Sequence, residues 1–326
     1  MKGIFTLLVL FSASTLFAQQ NYKRTLKLMG SRFDITVVAK DSVEGNNFID
    51  LAVDEIKRIE TLISSWDPNS QTSAINANAG IKPLTVDEEL YTLIGRCVEI
   101  SKLTDGAFDI SYASMDRIWK YDGSMTVMPS EEKIKASVAK VGHENILLDP
   151  ENFTVFLKLK GMKIGFGAIG KGYAADKARK LLEQKGVSGG IINASGDLNA
   201  WGKQFNGTDW MVAITNPLNK EKVFSWLPVQ NSAVVTSGNY EKYVEFNEVR
   251  YSHIIDPRTG YPSSGINSVS IFTKSAELAD ALSTSVFVMG VETGLDFINQ
   301  LKGVECVIVD GDNNIRTSEN IQLNKQ

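Results

Sequence analysis

Cysteine and histidine are the scarcest reactive residues of this 326-residue chain, with two of each. Two cysteines, Cys97 and Cys306, are too few for a disulfide framework or a thiolate metal site, which leaves one bridge between them as the alternative to two free thiols. Cys97 falls in the helical pattern Leu90, Leu93, Ile94, Cys97, Ile100 and reads as a buried core thiol. Basic runs are absent as well. With 34 Lys and Arg against 38 Asp and Glu the net charge is -4, a poor balance for nucleic-acid binding, so the anionic groups of any ligand must be met by local features. Long polar tracts, repeats and long linkers are also missing, and a 43% apolar composition argues for a compact globular protein with a large core.

One apolar stretch stands apart. Lys2 precedes the run Ile4 to Phe11, and Leu16-Phe17-Ala18 ends it before Gln19, the pattern of a secretory signal peptide (residues 1–18) cut after Ala18. The alternative, an uncleaved anchor, needs about 20 apolar residues, and Ser12, Ser14 and Thr15 dilute this run. No cysteine adjoins the cleavage point, so a lipid anchor is not expected. The mature chain, 19–326, is expected to be soluble and periplasmic or otherwise exported.

Alternation predicts strands over Asn21 to Ala39, broken at Met29-Gly30, followed by an amphipathic helix through Phe48, Ile56, Ile59 and Ile63. Thr85 and Glu88 read as a capping box for a helix to about Lys102. Further helices are predicted over 130–139, 171–185, 276–289 and 292–301. Strands are predicted near 146–148, 154–159, 190–194, 210–214, 233–237, 243–246, 267–272 and 305–309. This irregular alternation implies a single large mixed α/β (α+β) domain, with two packed lobes as an option.

Four segments carry candidate chemistry. His253 lies in Ser252-His253-Ile254-Ile255-Asp256-Pro257-Arg258-Thr259-Gly260, a turn offering a carboxylate and hydroxyls beside a side chain suited to general-base work. Asp256 is its candidate helper, although Asp-Pro-x-Thr-Gly also serves purely as a turn. Asp280 and Thr284 are four apart in a predicted helix, so both oxygens share a face and, with a backbone carbonyl, suit Mg²⁺; the same spacing also serves a solvated face or a cap. Gly165, Gly167, Gly170 and Gly172 precede a helix, as in a phosphate cradle or a tight strand-to-helix turn. Trp66, in Ser64-Ser65-Trp66-Asp67-Pro68, reads as a stacking ring or a core anchor.

Met29-Gly30-Ser31, the run Gly165 to Asp176, Ser252 to Gly260 and Ala279-Asp280-Ala281-Leu282-Ser283-Thr284, in that order, resemble the ApbE family of FAD:protein FMN transferases. The likeness runs from about Met29 to about Leu301. It implies Mg²⁺-dependent transfer of the FMN moiety of FAD to a Thr or Ser hydroxyl of an exported acceptor flavoprotein, with release of AMP. The acceptors it implies are Rnf- or Nqr-type subunits or other proteins with a flavinylation motif. By resemblance, Met29, Trp66, Ala107, Phe108, Asp109, Gly165, Lys171 and Ile255 hold FAD, and Asp280, Thr284 and the main-chain oxygen of Ala168 hold the metal. His253 activates the acceptor, and Asn193, Ser195, Gly196 and Asp197 shape the floor. Gly165 replaces an aspartate of many relatives, and the lipobox cysteine many carry is absent. His143, in Val141-Gly142-His143-Glu144, matches no family signature. Two rival activities share this site: hydrolysis of FAD to FMN and AMP, and non-catalytic flavin binding.

Overall fold

The computed structural model describes residues 19–216, 219–239, 243–246 and 249–321. The predicted leader, residues 1–18, lies outside them. The chain begins with a hairpin of β1 (Gln20–Leu28) and β2 (Ser31–Ala39), joined by Met29 and Gly30 at φ 49° and 71°. Two positive φ values in a two-residue connection match the twist of the flanking strands, which explains the break in alternation there. Helix α1 (Ser42–Ile63) follows, capped by Asp41, whose carboxylate accepts from the Glu44 amide. Then come α2 (Gln71–Ala77), β3 (Leu84–Thr85) and α3 (Glu88–Leu103). The Thr85 capping box does not form. Thr85 belongs to β3, and the N-cap is Asp87, held by Gln71, which accepts from the Asp87 amide and donates to its carboxylate.

The middle of the chain supplies α4 (Glu131–Ser137), β4 (Ile146–Asp149), β5 (Thr154–Leu157), α5 (Gly170–Gln184), β6 (Gly190–Ala194) and β7 (Asp197–Trp201). Strands β8 (Trp210–Asn216), β9 (Asn219–Val229), β10 (Ser232–Gly238), β11 (Tyr243–Phe246), β12 (Val249–Ser252) and β13 (Ile266–Thr273) come next. The described chain ends with α6 (Ala276–Met289), α7 (Val291–Asn299), β14 (Glu305–Asp310) and β15 (Ile315–Thr317). Eight strands form one sheet in the order β1-β2-β6-β7-β10-β13-β14-β15, antiparallel at every pairing. The architecture is mixed α/β.

Helix α5 packs between α1 and α6 over β6 and β7, and α6 covers β10 and β13. Burial follows strand alternation: Phe33, Ile35 and Val37 point from one face of β2 onto Ile56 and Ile59 of α1 and Ala174 and Ala178 of α5. A second cluster joins Val269, Ile271, Leu282, Val286 and Cys306. Cys97 lies in the first cluster and Cys306 in the second, and both are free and buried, so the bridge is not formed. Burial pushes the Cys97 thiol well above its ordinary range and that of Cys306 up to about 12, leaving both protonated at neutral pH. Among the described residues, no helix is long and apolar enough to cross a membrane.

Candidate active site

Two helices frame the site by exchanging carboxylates. Asp280 of α6 accepts from the Gly172 amide of α5 at 3.1 Å, satisfying a first-turn N–H that has no intrahelical partner. In return Asp176 of α5 caps α6: its carboxylate accepts from the Ala276 amide (2.9 Å), the Glu277 amide (3.0 Å) and the Ser275 hydroxyl (2.7 Å), and from the Asn199 side chain. Glycine at 172 permits this approach. A Cβ there would sit 2.1 Å from the Ala276 carbonyl oxygen and 2.9 Å from the Asp280 Cβ. Among the described residues no strand adjoins the glycine-rich segment, since β5 ends at Leu157; its glycine at 172 lets α5 meet α6 closely, with the Gly172 amide directed at Asp280.

Beside these helices lies a cavity of about 410 Å³. Of the residues singled out in the sequence, Ala107, Phe108, Asp109, Ala168, Lys171, His253, Ile255, Asp280 and Thr284 line it, as do Gly167, Ser195 and Asp197. Lys171 projects from α5 and forms an ion pair with Asp197 at the start of β7. The turn before it, Ser195-Gly196, has φ values of 54° and 106°, and the Asn193 side chain accepts from the Gly196 amide. Asp280 and Asp197 are both buried. Burial, then the charge of Asp197, push the Asp280 carboxyl up to about 8, against the Lys171 ammonium and the Gly172 amide. Burial likewise raises Asp197, with Lys171 opposing.

With its carboxyl pushed up to about 8, Asp280 is largely protonated at neutral pH, and a divalent cation beside it would favour the ionised form. Thr284 and Ala168 line the cavity with Asp280, and the ligands such residues can offer, a hydroxyl, a main-chain carbonyl and a carboxylate, are the oxygens a hard cation such as Mg²⁺ prefers. Among the described residues no group of three or more His, Cys, Asp or Glu side chains could cage a metal. The arrangement fits an ion that keeps water or substrate oxygens among its ligands.

Asp109 is buried, and its carboxylate is turned toward protein partners. It accepts from the Ser111 amide (2.7 Å) and the His143 amide (2.7 Å) and lies 3.3 Å from His143 Nδ1. His143 thus braces the 107–109 loop from outside the cavity. Asp256 is held by Arg258 of its own turn, which donates to it from the amide and the guanidinium at 2.8 to 2.9 Å. It lines neither cavity, and neither does Met29, which sits in the β1–β2 turn with its amide on Glu60. His253 is exposed at the rim, with the Tyr121 ring edge-on to its imidazole at 6.4 Å.

A second cavity of about 650 Å³ adjoins the first, and Tyr112, Met115 and Gly167 line both. Trp66 and Gly165 belong to this one. Trp66 is 78% exposed, so it is no core anchor. Its loop is tied down: the Ser64 hydroxyl accepts from the Trp66 and Asp67 amides, and the Ser70 hydroxyl donates to the Ser64 carbonyl. Tyr112 was not found from sequence, nor were Thr236, Ser237 and Gly238 of β10, which also line the first cavity. The one local trace of Tyr112 is Gly167, where a Cβ would lie 2.3 Å from its hydroxyl oxygen.

The comparisons agree with this architecture. The model of the ApbE family matches residues 29–308. A protein of Klebsiella pneumoniae (strain 342) named FAD:protein FMN transferase is 30% identical over 290 residues, 88% of this chain and 89% of its own length. One of the same name from Treponema pallidum (strain Nichols) is 29% identical over 318 residues, 93% of this chain and 88% of its own. Among solved structures, the ApbE protein of Thermotoga maritima superposes with a TM-score of 0.83 at 32% identity, covering 92% of this chain and 97% of that one. The apo form of Pseudomonas stutzeri flavinyl transferase ApbE gives 0.82 at 25%, covering 93% and 96%. On sequence and fold together, the chain belongs to the ApbE family.

Proposed function

We propose that this protein is an exported enzyme that transfers the FMN moiety of FAD to a Thr or Ser hydroxyl of an acceptor flavoprotein and releases AMP. One observation carries the reading: five separate segments of a family member bring His253, the Lys171–Asp197 pair, Asp280, Thr284 and the 107–109 loop to one cavity.

In this reading FAD spans both cavities, with an aromatic ring stacked on Trp66. The acceptor oxygen bonds to the FMN-side phosphorus, the bond from that phosphorus to the bridging oxygen breaks, and AMP departs with that oxygen. His253, at the rim where a protein acceptor can reach, takes the hydroxyl proton. Lys171, aligned by Asp197, offsets phosphate charge. Asp280, Thr284 and the Ala168 carbonyl would hold Mg²⁺, which supplies charge neutralisation at the pyrophosphate when bound. Asp256, engaged by Arg258, shapes the turn that presents His253 and Ile255. The acceptors are exported subunits of Rnf or Nqr type or other proteins with a flavinylation motif. The segment from Lys2 to Ala18 supports export as a cleaved signal peptide.

The test is incubation with FAD, Mg²⁺ and an acceptor domain, read by intact mass. An acceptor heavier by one FMN, with AMP released, is the expected result. Free FMN and AMP with unmodified acceptor would replace this reading by an FAD pyrophosphatase, and stoichiometrically bound, intact FAD by a flavin-binding protein.

A further inference from the structure

The segment from Met115 to Tyr121 carries a specific contact on every second residue. Met115 lines both cavities. The Arg117 guanidinium lies 4.9 Å from the centroid of the Trp66 ring. The buried Trp119 indole donates to the Gly260 carbonyl at 2.9 Å, across to the far end of the histidine turn. The Tyr121 hydroxyl donates to the Ser252 carbonyl at 2.8 Å, next to His253, whose imidazole its ring meets edge-on. None of these residues belongs to a motif that marked the site in the sequence.

The geometry points to this segment as a positioning strap: Arg117 sets the Trp66 ring for the donor, and Tyr121 sets His253 for the acceptor. The inference rests on the proposed transfer reaction and adds the residues that align its two ends. Two features of the protein make a strap necessary. Trp66 is too exposed for packing to hold its ring, so the cation on one face fixes its orientation and leaves the other face for a ligand ring. His253 is exposed and follows the last residue of β12, so the position of its backbone is set by what holds the Ser252 carbonyl. Trp119, with Ile134 and Val244 in a small core, anchors the strap between those ends.

The two ends predict separable kinetics. Arg117→Ala should weaken FAD affinity, read by flavin fluorescence quenching and as KM for FAD, about 2- to 5-fold with kcat unchanged, and Arg117→Lys should restore most of it, since an ammonium also binds a ring face. Tyr121→Phe, which removes one oxygen, should lower kcat about 2- to 10-fold with KM for FAD unchanged. Melting curves of all three variants confirm folding. The assignment is overturned if Arg117→Ala and Tyr121→Phe alter the same parameter, if neither alters any, or if Arg117→Lys is no better than alanine. Should the wild-type protein bind FAD yet transfer nothing, the transferase reading fails by itself, and the affinities of the two Arg117 variants then decide the strap.

Discussion

Replacing Gly172 by alanine tests the helix exchange at its tightest point. The new methyl carbon would start 2.1 Å from the Ala276 carbonyl oxygen and 2.6 Å from its carbon, both backbone atoms of α6 that no rotamer change can move. Reaching an ordinary contact requires the helices to separate by more than an ångström, which takes Asp280 out of hydrogen-bond range of the Gly172 amide, now at 3.1 Å. Overpacking of this kind costs about 1–3 kcal/mol, or roughly 2–5 °C in Tm for a chain of this size. Function should suffer more, because a misplacement of about 1 Å at a reacting centre can cost about 10²-fold in rate. Thermal unfolding and FMN transfer to an acceptor, measured on one preparation, give both quantities. Gly95→Ala is the control: in α3 its Cβ would meet only the Leu148 Cδ1 at 3.9 Å, so it should stabilise by about 0.5–1 kcal/mol through helix propensity and leave transfer untouched. A Gly172→Ala protein with wild-type Tm and activity would show that the close approach of α5 and α6 does not set the position of Asp280.

His253→Ala should lose about 10²- to 10⁴-fold in transfer rate while still binding FAD; transfer near the wild-type rate would make the histidine structural. Asp280→Ala should abolish turnover with a smaller effect on FAD affinity, and full activity would remove it from the metal site. Material expressed with its native leader should begin at Gln19 and carry no lipid; an intact mass that retains residues 1–18 or includes acyl chains would refute this. Glu89 offers a test of pH dependence. Hydrogen bonds from Arg58, Lys177 and Tyr173 outweigh burial and lower its carboxyl from the ordinary 4.5 to about 2. A carboxyl depressed in the folded state stabilises fully above its unfolded pKa and loses that contribution as pH falls through the folded one. Glu89→Gln should therefore melt lower at neutral pH and lose less between about pH 4.5 and pH 2; parallel Tm curves would contradict the assignment.

The site was legible in sequence where chemistry is concentrated in a short run. Local spacing offered Asp280 with Thr284 on one helix and Lys171 with the glycines at the start of another, and the family resemblance chose between that reading and a plain cap or turn. What escaped was set by partners distant in the chain. Thr85 and Glu88 have the capping-box spacing, yet Gln71, brought in by α2, takes Asp87 and leaves Thr85 to a strand. The short strands β7, β12 and β15 exist because neighbours pair with them, and they lack the alternation that announces a longer strand. Tyr112 reaches the site from a 3-10 turn with no periodicity to mark it. Asp176 was visible as the end of a motif, but its partners, Ser275 to Glu277, are about a hundred residues away.

The crossed carboxylates of α5 and α6 mean that the site has no half-built form. If α6 lifts away by local unfolding, Asp280 leaves with it, Asp176 loses the amides it caps, and the first turn of α5 loses its outside acceptor in the same event. The amides of Gly172, Ala276 and Glu277 should therefore exchange with solvent together, as one opening unit, although two of them lie over a hundred residues along the chain from the first. Such a coupling leaves Asp280 unplaced until the scaffold around it is complete.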